Sequence, residues 1–152
     1  MKAVRIIVPV LIVLFIVIQF IPAGIPENKP EDGRSLDSSK LLSGPIQQQL
    51  KRSCYDCHSG NVNFPWYAKL APSSWLLSKH IREGKDHLNF SEWAGYSKRK
   101  QISLLGKINE EVESGDMPLR SYILIHRDAK LTPEERNALL KWTEEASDKV
   151  ME

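Results

Sequence analysis

Hydrophobic residues fall into two regimes along the chain. Val4 to Ile21 is apolar on every face apart from Arg5, Pro9 and Gln19. Beyond residue 40, apolar positions instead recur every three or four residues among polar ones, the period of helices buried on one side. The first regime matches the ~17–20 residues that cross a hydrocarbon core. With Lys2 and Arg5 as a positive flank, it predicts a transmembrane signal-anchor helix over residues 1–21, or else a cleaved signal peptide. Ile21-Pro22-Ala23 is a poor cleavage site, which favours the anchor. By the positive-inside rule the basic end stays in the cytoplasm, so the rest is expected to be membrane-anchored in the periplasm or another extracytoplasmic space.

Between the regimes, Pro22, Gly24, Pro26, Pro30 and Gly33 alternate with charged residues. Residues 22–39 therefore read as a flexible linker, reaching at most ~60 Å when extended. Residues 40–152 read as one helical domain. Pro45 suits a first helical turn, and Ile46, Leu50 and Ser53 share a face that leads into Cys54. A second helix begins near Ser73 or Ser74 and carries Leu76, Leu77, His80 and Ile81, with Gly84 as its stop. A third is capped by Ser97 and places Ile102, Leu105, Ile108 and Val112 at helical spacing before Gly115. The last has Thr132 as its cap, Pro133 in the first turn and Glu135 completing a capping box. Leu139, Trp142, Ala146 and Val150 line one face of it. No strand alternation is sustained, so the fold class is all-α, preceded by the membrane helix.

The 152 residues allow one domain plus a targeting segment. Setting Lys2 and Arg5 aside leaves 19 basic residues against 19 acidic ones. A near-neutral domain gives no footing for nucleic acid, which requires a concentrated basic surface. Ser97-Lys98-Arg99-Lys100 is a basic run at a helix start, read as solvated surface.

The chemistry concentrates in Cys54-Tyr55-Asp56-Cys57-His58, the C-x-x-C-H pattern of covalent haem attachment. Two thiols three positions apart can add to two vinyl groups on one side of a porphyrin. His58 follows directly and can bind the iron axially. A structural disulfide would close too short a loop to constrain the unfolded chain much. A thioredoxin-type pair lacks the surrounding βαβ pattern, and zinc lacks further cysteine ligands. One covalent haem c is therefore the expected cofactor. No acid–base pair and no nucleophile with a partner base stand out, so an enzyme is not expected.

Ser114-Gly115-Asp116-Met117-Pro118, then Leu131-Thr132-Pro133-Glu134-Glu135 and Trp142, resemble the second half of a class I mono-haem cytochrome c. More specifically, Cys54 to His58, Asn63-Phe64-Pro65-Trp66-Tyr67, His87 to Trp93 and Met117-Pro118-Leu119 resemble the bacterial haem-binding domain family of cytochrome c-like proteins. The likeness covers roughly residues 40–148 and implies a cytochrome c-like domain around one haem. The aromatic-rich stretch from Phe64 to Tyr96 departs from simple class I cytochromes.

Met117, His80, His87 and His126 compete for the sixth iron position. Met117 is favoured as the only interior methionine, in a loop that Pro118 restrains. His80 and His126 are the alternatives, with His87 read as a surface residue. Pro65 or Pro72 is expected to offer a carbonyl to the other nitrogen of His58. Trp66, Tyr67 and Trp93 are weighed as haem propionate donors against a place in the aromatic core.

The leading functional expectation is a membrane-tethered mono-haem cytochrome c passing single electrons to membrane-associated redox partner proteins. Two rivals stand beside it. One is a haem-based sensor or binding module with an open or labile sixth site. The other is a membrane-tethered thiol oxidoreductase without haem.

Overall fold

The helical period after residue 40 translates into helices whose ends are set by identifiable residues. The computed structural model describes residues 2–152. The described residues form seven α-helices and no strand: α1 (Lys2–Ile18), α2 (Gly44–Ser53), α3 (Tyr55–His58), α4 (Ser73–His87), α5 (Lys98–Ser114), α6 (Arg120–Ile125) and α7 (Pro133–Met151). Short 3-10 turns at Leu36–Ser38, Trp66–Lys69, Phe90–Gly95 and Arg127–Ala129 fill the connections.

The antiparallel pair α5 and α7 forms the core. Ser97 caps α5 by accepting the Lys100 amide, and Gly115 ends it in the left-handed conformation at φ 81°. Thr132 and Glu135 close the α7 capping box reciprocally, satisfying two amides that the first turn leaves free. Leu104, Leu105 and Val112 of α5 meet Leu139, Trp142, Ala146 and Val150 of α7, all buried in one cluster. The Trp142 indole donates to the Leu41 carbonyl at 2.9 Å, fastening the chain before α2 onto this pair.

Helix α2 joins the same core through Ile46 and Leu50, with Ser53 buried on that face as the spacing requires. Two ties fix it to the start of α7. Gln49 donates to the Glu135 carbonyl at 2.7 Å, and Arg52 pairs with the Glu135 carboxylate at 2.6 Å. Cys54 ends α2 and opens the one-turn α3. Helix α4 buries Ser74, Leu77, Ser78 and Ile81, while Leu76 points outward. A second, smaller apolar cluster gathers Val62, Ala68, Leu77 and Ile81.

The N-terminal expectation is corrected. Helix α1 has 17 residues, and no helix among the described residues is long and apolar enough to cross a membrane. At 1.5 Å per residue α1 measures about 25 Å, short of a ~30 Å hydrocarbon core. The helix stops where Gln19 turns back, its amide donating to the Phe15 carbonyl at 2.9 Å and to the Ala71 carbonyl at 3.1 Å. The signal-anchor reading is corrected on that finding, and the membrane tether, together with the periplasmic or extracytoplasmic placement and the membrane-associated redox partners expected from it, loses its support. The leading reading, a membrane-tethered electron carrier, falls with them.

Polar groups of residues 22–39 bond along the domain. Asn28 exchanges two hydrogen bonds with the Val62 backbone, at 2.8 and 2.9 Å. The Lys29 amide donates to the Gly60 carbonyl at 2.9 Å, and Ser78 donates to the Gly24 carbonyl at 3.0 Å. Leu36 is fully buried in the main core.

Candidate haem-attachment site

Both cysteines of the motif are free thiols at the junction of α2 and α3. Burial, then the neighbouring Cys57, pushes the Cys54 thiol up to about 12. Burial, then Asp56, pushes Cys57 up to about 11. A thiol oxidoreductase needs the opposite, a thiol whose pKa is lowered so that thiolate is present near neutral pH.

His58 is held by the end of α4. Its Nδ1 donates to the Gly84 carbonyl at 2.9 Å and to the Leu88 carbonyl at 3.1 Å. Carbonyls only accept, so the ring proton sits on Nδ1. Burial holds the His58 pKa below its ordinary value, against the raising effect of those two carbonyls, and so favours the neutral ring. A neutral imidazole protonated at Nδ1 leaves the Nε2 lone pair free to bind a metal. The orienting carbonyls come from Gly84 and Leu88, not from Pro65 or Pro72.

Gly84 does not stop α4, which runs on to His87, and its role is a different one. It lies inside α4, and a Cβ there would come 2.6 Å from the Cys57 carbonyl oxygen. Its missing side chain is what lets α4 approach the turn closely enough to offer its carbonyls to His58. Phe90, 1% exposed, backs the same turn, stacked on Tyr55 at 5.0 Å and edge-on to His58 at 6.2 Å. Beyond His58, Ser59 donates to the Tyr55 carbonyl at 2.8 Å, and the Gly60 amide donates to Ser91 at the same distance.

The other candidates are dispersed. Met117 is half-buried, and its amide donates to the Glu111 carbonyl at the end of α5. His80 is half-buried on α4 and His87 is exposed at its end. His126 Nε2 shares a 2.7 Å hydrogen bond with the Tyr67 hydroxyl, so that nitrogen already has a partner. Trp93 sits in the main core, while Trp66 is exposed, edge-on to Tyr67. Among the described residues, no group of three or more His, Cys, Asp or Glu side chains is arranged to hold a metal ion.

Two unpaired thiols three residues apart, followed at once by an imidazole with its Nε2 free, are the donor set a covalent haem requires. The haem-binding domain family matches residues 13–145 of the chain. The chain belongs to that family. No curated protein and no solved structure matches it. A haem-binding domain is therefore present, described at the level of the family rather than of class I cytochromes. The family match takes in residues 22–39, helices α2 to α6 and the larger part of α7.

Sequence reading missed the groups that support the motif. Gly84 carried a signal, a glycine within a helical pattern, which marks close approach as often as an end. The Leu88 carbonyl carried none, because every residue has one.

Proposed function

We propose that this haem-binding domain is a non-catalytic haem c module with a labile sixth iron position, open to a small neutral ligand. Cys54 and Cys57 hold the cofactor through thioethers, His58 Nε2 is the proximal ligand, and Met117 is the displaceable distal one. Residues 40–152 form the haem-binding unit, and residues 22–39 lead into it. Bound haem would supply an iron that takes axial ligands, with the surroundings deciding which are kept.

The observation that carries this reading is the unequal support of the two ligands. His58 is clamped by the Gly84 carbonyl within α4 and the carbonyl of Leu88, which caps that helix. Met117 instead lies in a segment with no buried residue between Val112 and Ala129. A thioether on a weakly packed segment suits a ligand that can be displaced.

Absorption spectra of the haem-loaded full chain, with and without carbon monoxide, test it. The expected result is a low-spin ferric spectrum with the weak band of sulfur–iron ligation, lost in Met117→Ala, and carbon monoxide uptake by the ferrous form. A ferrous form that excludes carbon monoxide overturns the labile site and means that the sixth ligand is fixed. Haem that stays with the Cys54→Ser/Cys57→Ser chain through denaturation overturns the thioethers.

A further inference from the structure

Four polar and aromatic side chains in and around the attachment turn are joined to one another. Asp56 lies between the two cysteines, and both its carboxylate oxygens are engaged. One accepts the Asn63 amide at 2.9 Å, and the other accepts the Tyr122 hydroxyl at 2.6 Å. The Tyr122 ring stacks on His126, with centroids 4.4 Å apart and planes 15° from parallel. His126 in turn shares its 2.7 Å bond with Tyr67. Helix α6, which carries Tyr122 and leads into His126, buries none of its own residues. Leu124 and Ile125 are 77% and 64% exposed.

Apolar packing does not hold this segment down, so its two outgoing side-chain bonds matter more than usual. One reaches the attachment turn and the other the Trp66–Lys69 turn. The segment is tied again only at its ends. Gly115, Asp116 and Met117 are fastened to Glu111 of α5, and Ala129 is buried below.

We propose that Tyr122–Asp56 and Tyr67–His126 form a latch holding the Met117–His126 segment against the haem-attachment turn, so that Tyr67 and Tyr122 set how readily the sixth position opens. The latch rests on the labile-site reading and names the residues that regulate it. Neither tyrosine is assigned as an iron ligand; both act by positioning the segment that carries Met117. Tyr122→Phe removes the bond to Asp56 and keeps the stack on His126, while Tyr67→Phe removes the bond to His126 and keeps the ring.

The test uses the haem-loaded full chain with carbon monoxide as probe, read by flash photolysis or rapid mixing. Each single variant should bind carbon monoxide about fivefold faster, the scale of losing one modest hydrogen bond, with a weaker ferric sulfur–iron band. The double variant should exceed either single one. Ser97→Ala, which removes the cap at the end of α5 opposite Gly115, should lower stability and leave the rate unchanged, separating a positional effect from general loosening. Rates within twofold of the parent in the double variant overturn the latch.

Hydrogen exchange of the amides over residues 119–126 keeps the two ideas separable. If the parent excludes carbon monoxide, the labile-site reading fails, and the latch is judged by exchange alone. Faster exchange confined to that segment in the double variant supports it, and unchanged exchange overturns it.

Discussion

On one side of the attachment turn, a side chain is fixed by backbone; on the other, a whole segment is fixed by side chains. His58 donates to two carbonyls at the end of α4, whose close approach depends on Gly84 and which Phe90 backs from the core. Met117 continues into α6, which buries nothing and is tied outward by the Tyr122 and Tyr67 bonds. Backbone acceptors in a packed helix cannot move without moving the helix. Side-chain bonds at a half-exposed surface can open singly, with free energies far below that of global unfolding. The difference suggests a firm proximal ligand and an adjustable distal one.

The hardest way to break this contrast is to empty the firm side. Phe90 is almost wholly buried and touches both Tyr55 and His58. Phe90→Ala should cost about 3–5 kcal/mol in urea unfolding of the haem-loaded chain, the range for deleting a buried ring. A cost below about 1 kcal/mol would mean that the turn does not lean on the core.

Gly84→Ala attacks the same side with a single methyl. The added Cβ meets backbone rather than a flexible side chain tip, since the Cys57 carbonyl carbon and oxygen lie 3.1 and 2.6 Å away. Helix α4 must then withdraw and lengthen both His58 bonds. We expect a loss of about 1–3 kcal/mol, the usual scale of overpacking, together with a changed ferrous spectrum as His58 loses its orientation. A stable variant with the parent spectrum would show that α4 does not orient His58.

How much of this was readable in advance follows from the kind of signal each part leaves. The α5 and α7 pair was legible to the cap, because Ser97, Gly115, Thr132 and Glu135 carry out their roles locally. The Cys54-x-x-Cys57-His58 pattern was visible because it falls within five successive residues. The N-terminal run misled, since composition alone did not show that Gln19 would turn back to Ala71 and end the helix. The bonds from segment 22–39 to Gly60, Val62 and Ser78 left no trace in the pattern, because they join residues far apart in sequence. For the same reason the Asp56, Tyr122, His126 and Tyr67 group was invisible until the fold brought it together.

The firm side extends into α2 through Arg52 and Glu135, and this contact has a pH signature. The Arg52 guanidinium, then the Thr132 amide, holds the Glu135 carboxyl below its ordinary pKa. A group with a depressed folded pKa contributes stability above its unfolded value, near 4.5, and that stability is lost as pH falls through the folded value. The pair is partly solvated, so its contribution should be about 0.5–1 kcal/mol. Glu135→Gln should therefore lower stability at neutral pH and flatten the fall in acid. An acid limb identical to the parent's would assign that fall to other carboxylates.

The smallest expected effect sharpens the contrast from the weak side, by changing one residue type in two places. Leu105 is fully buried between α5 and α7, whereas Leu124 on α6 is 77% exposed. Leu105→Ala should cost about 2–5 kcal/mol, the range for a buried leucine. Leu124→Ala should stay within about 0.5 kcal/mol, as for surface positions that hold nothing in place. Both measurements belong on the haem-loaded chain, where any packing of Leu124 against the cofactor would register. A cost at Leu124 approaching that at Leu105 would mean that apolar contact secures α6, and the two tyrosine bonds would then no longer be what holds the distal segment. A negligible cost leaves those bonds as its main outward attachment, and makes the carbon monoxide rates of the Tyr67 and Tyr122 variants a direct reading of how tightly Met117 is kept in place.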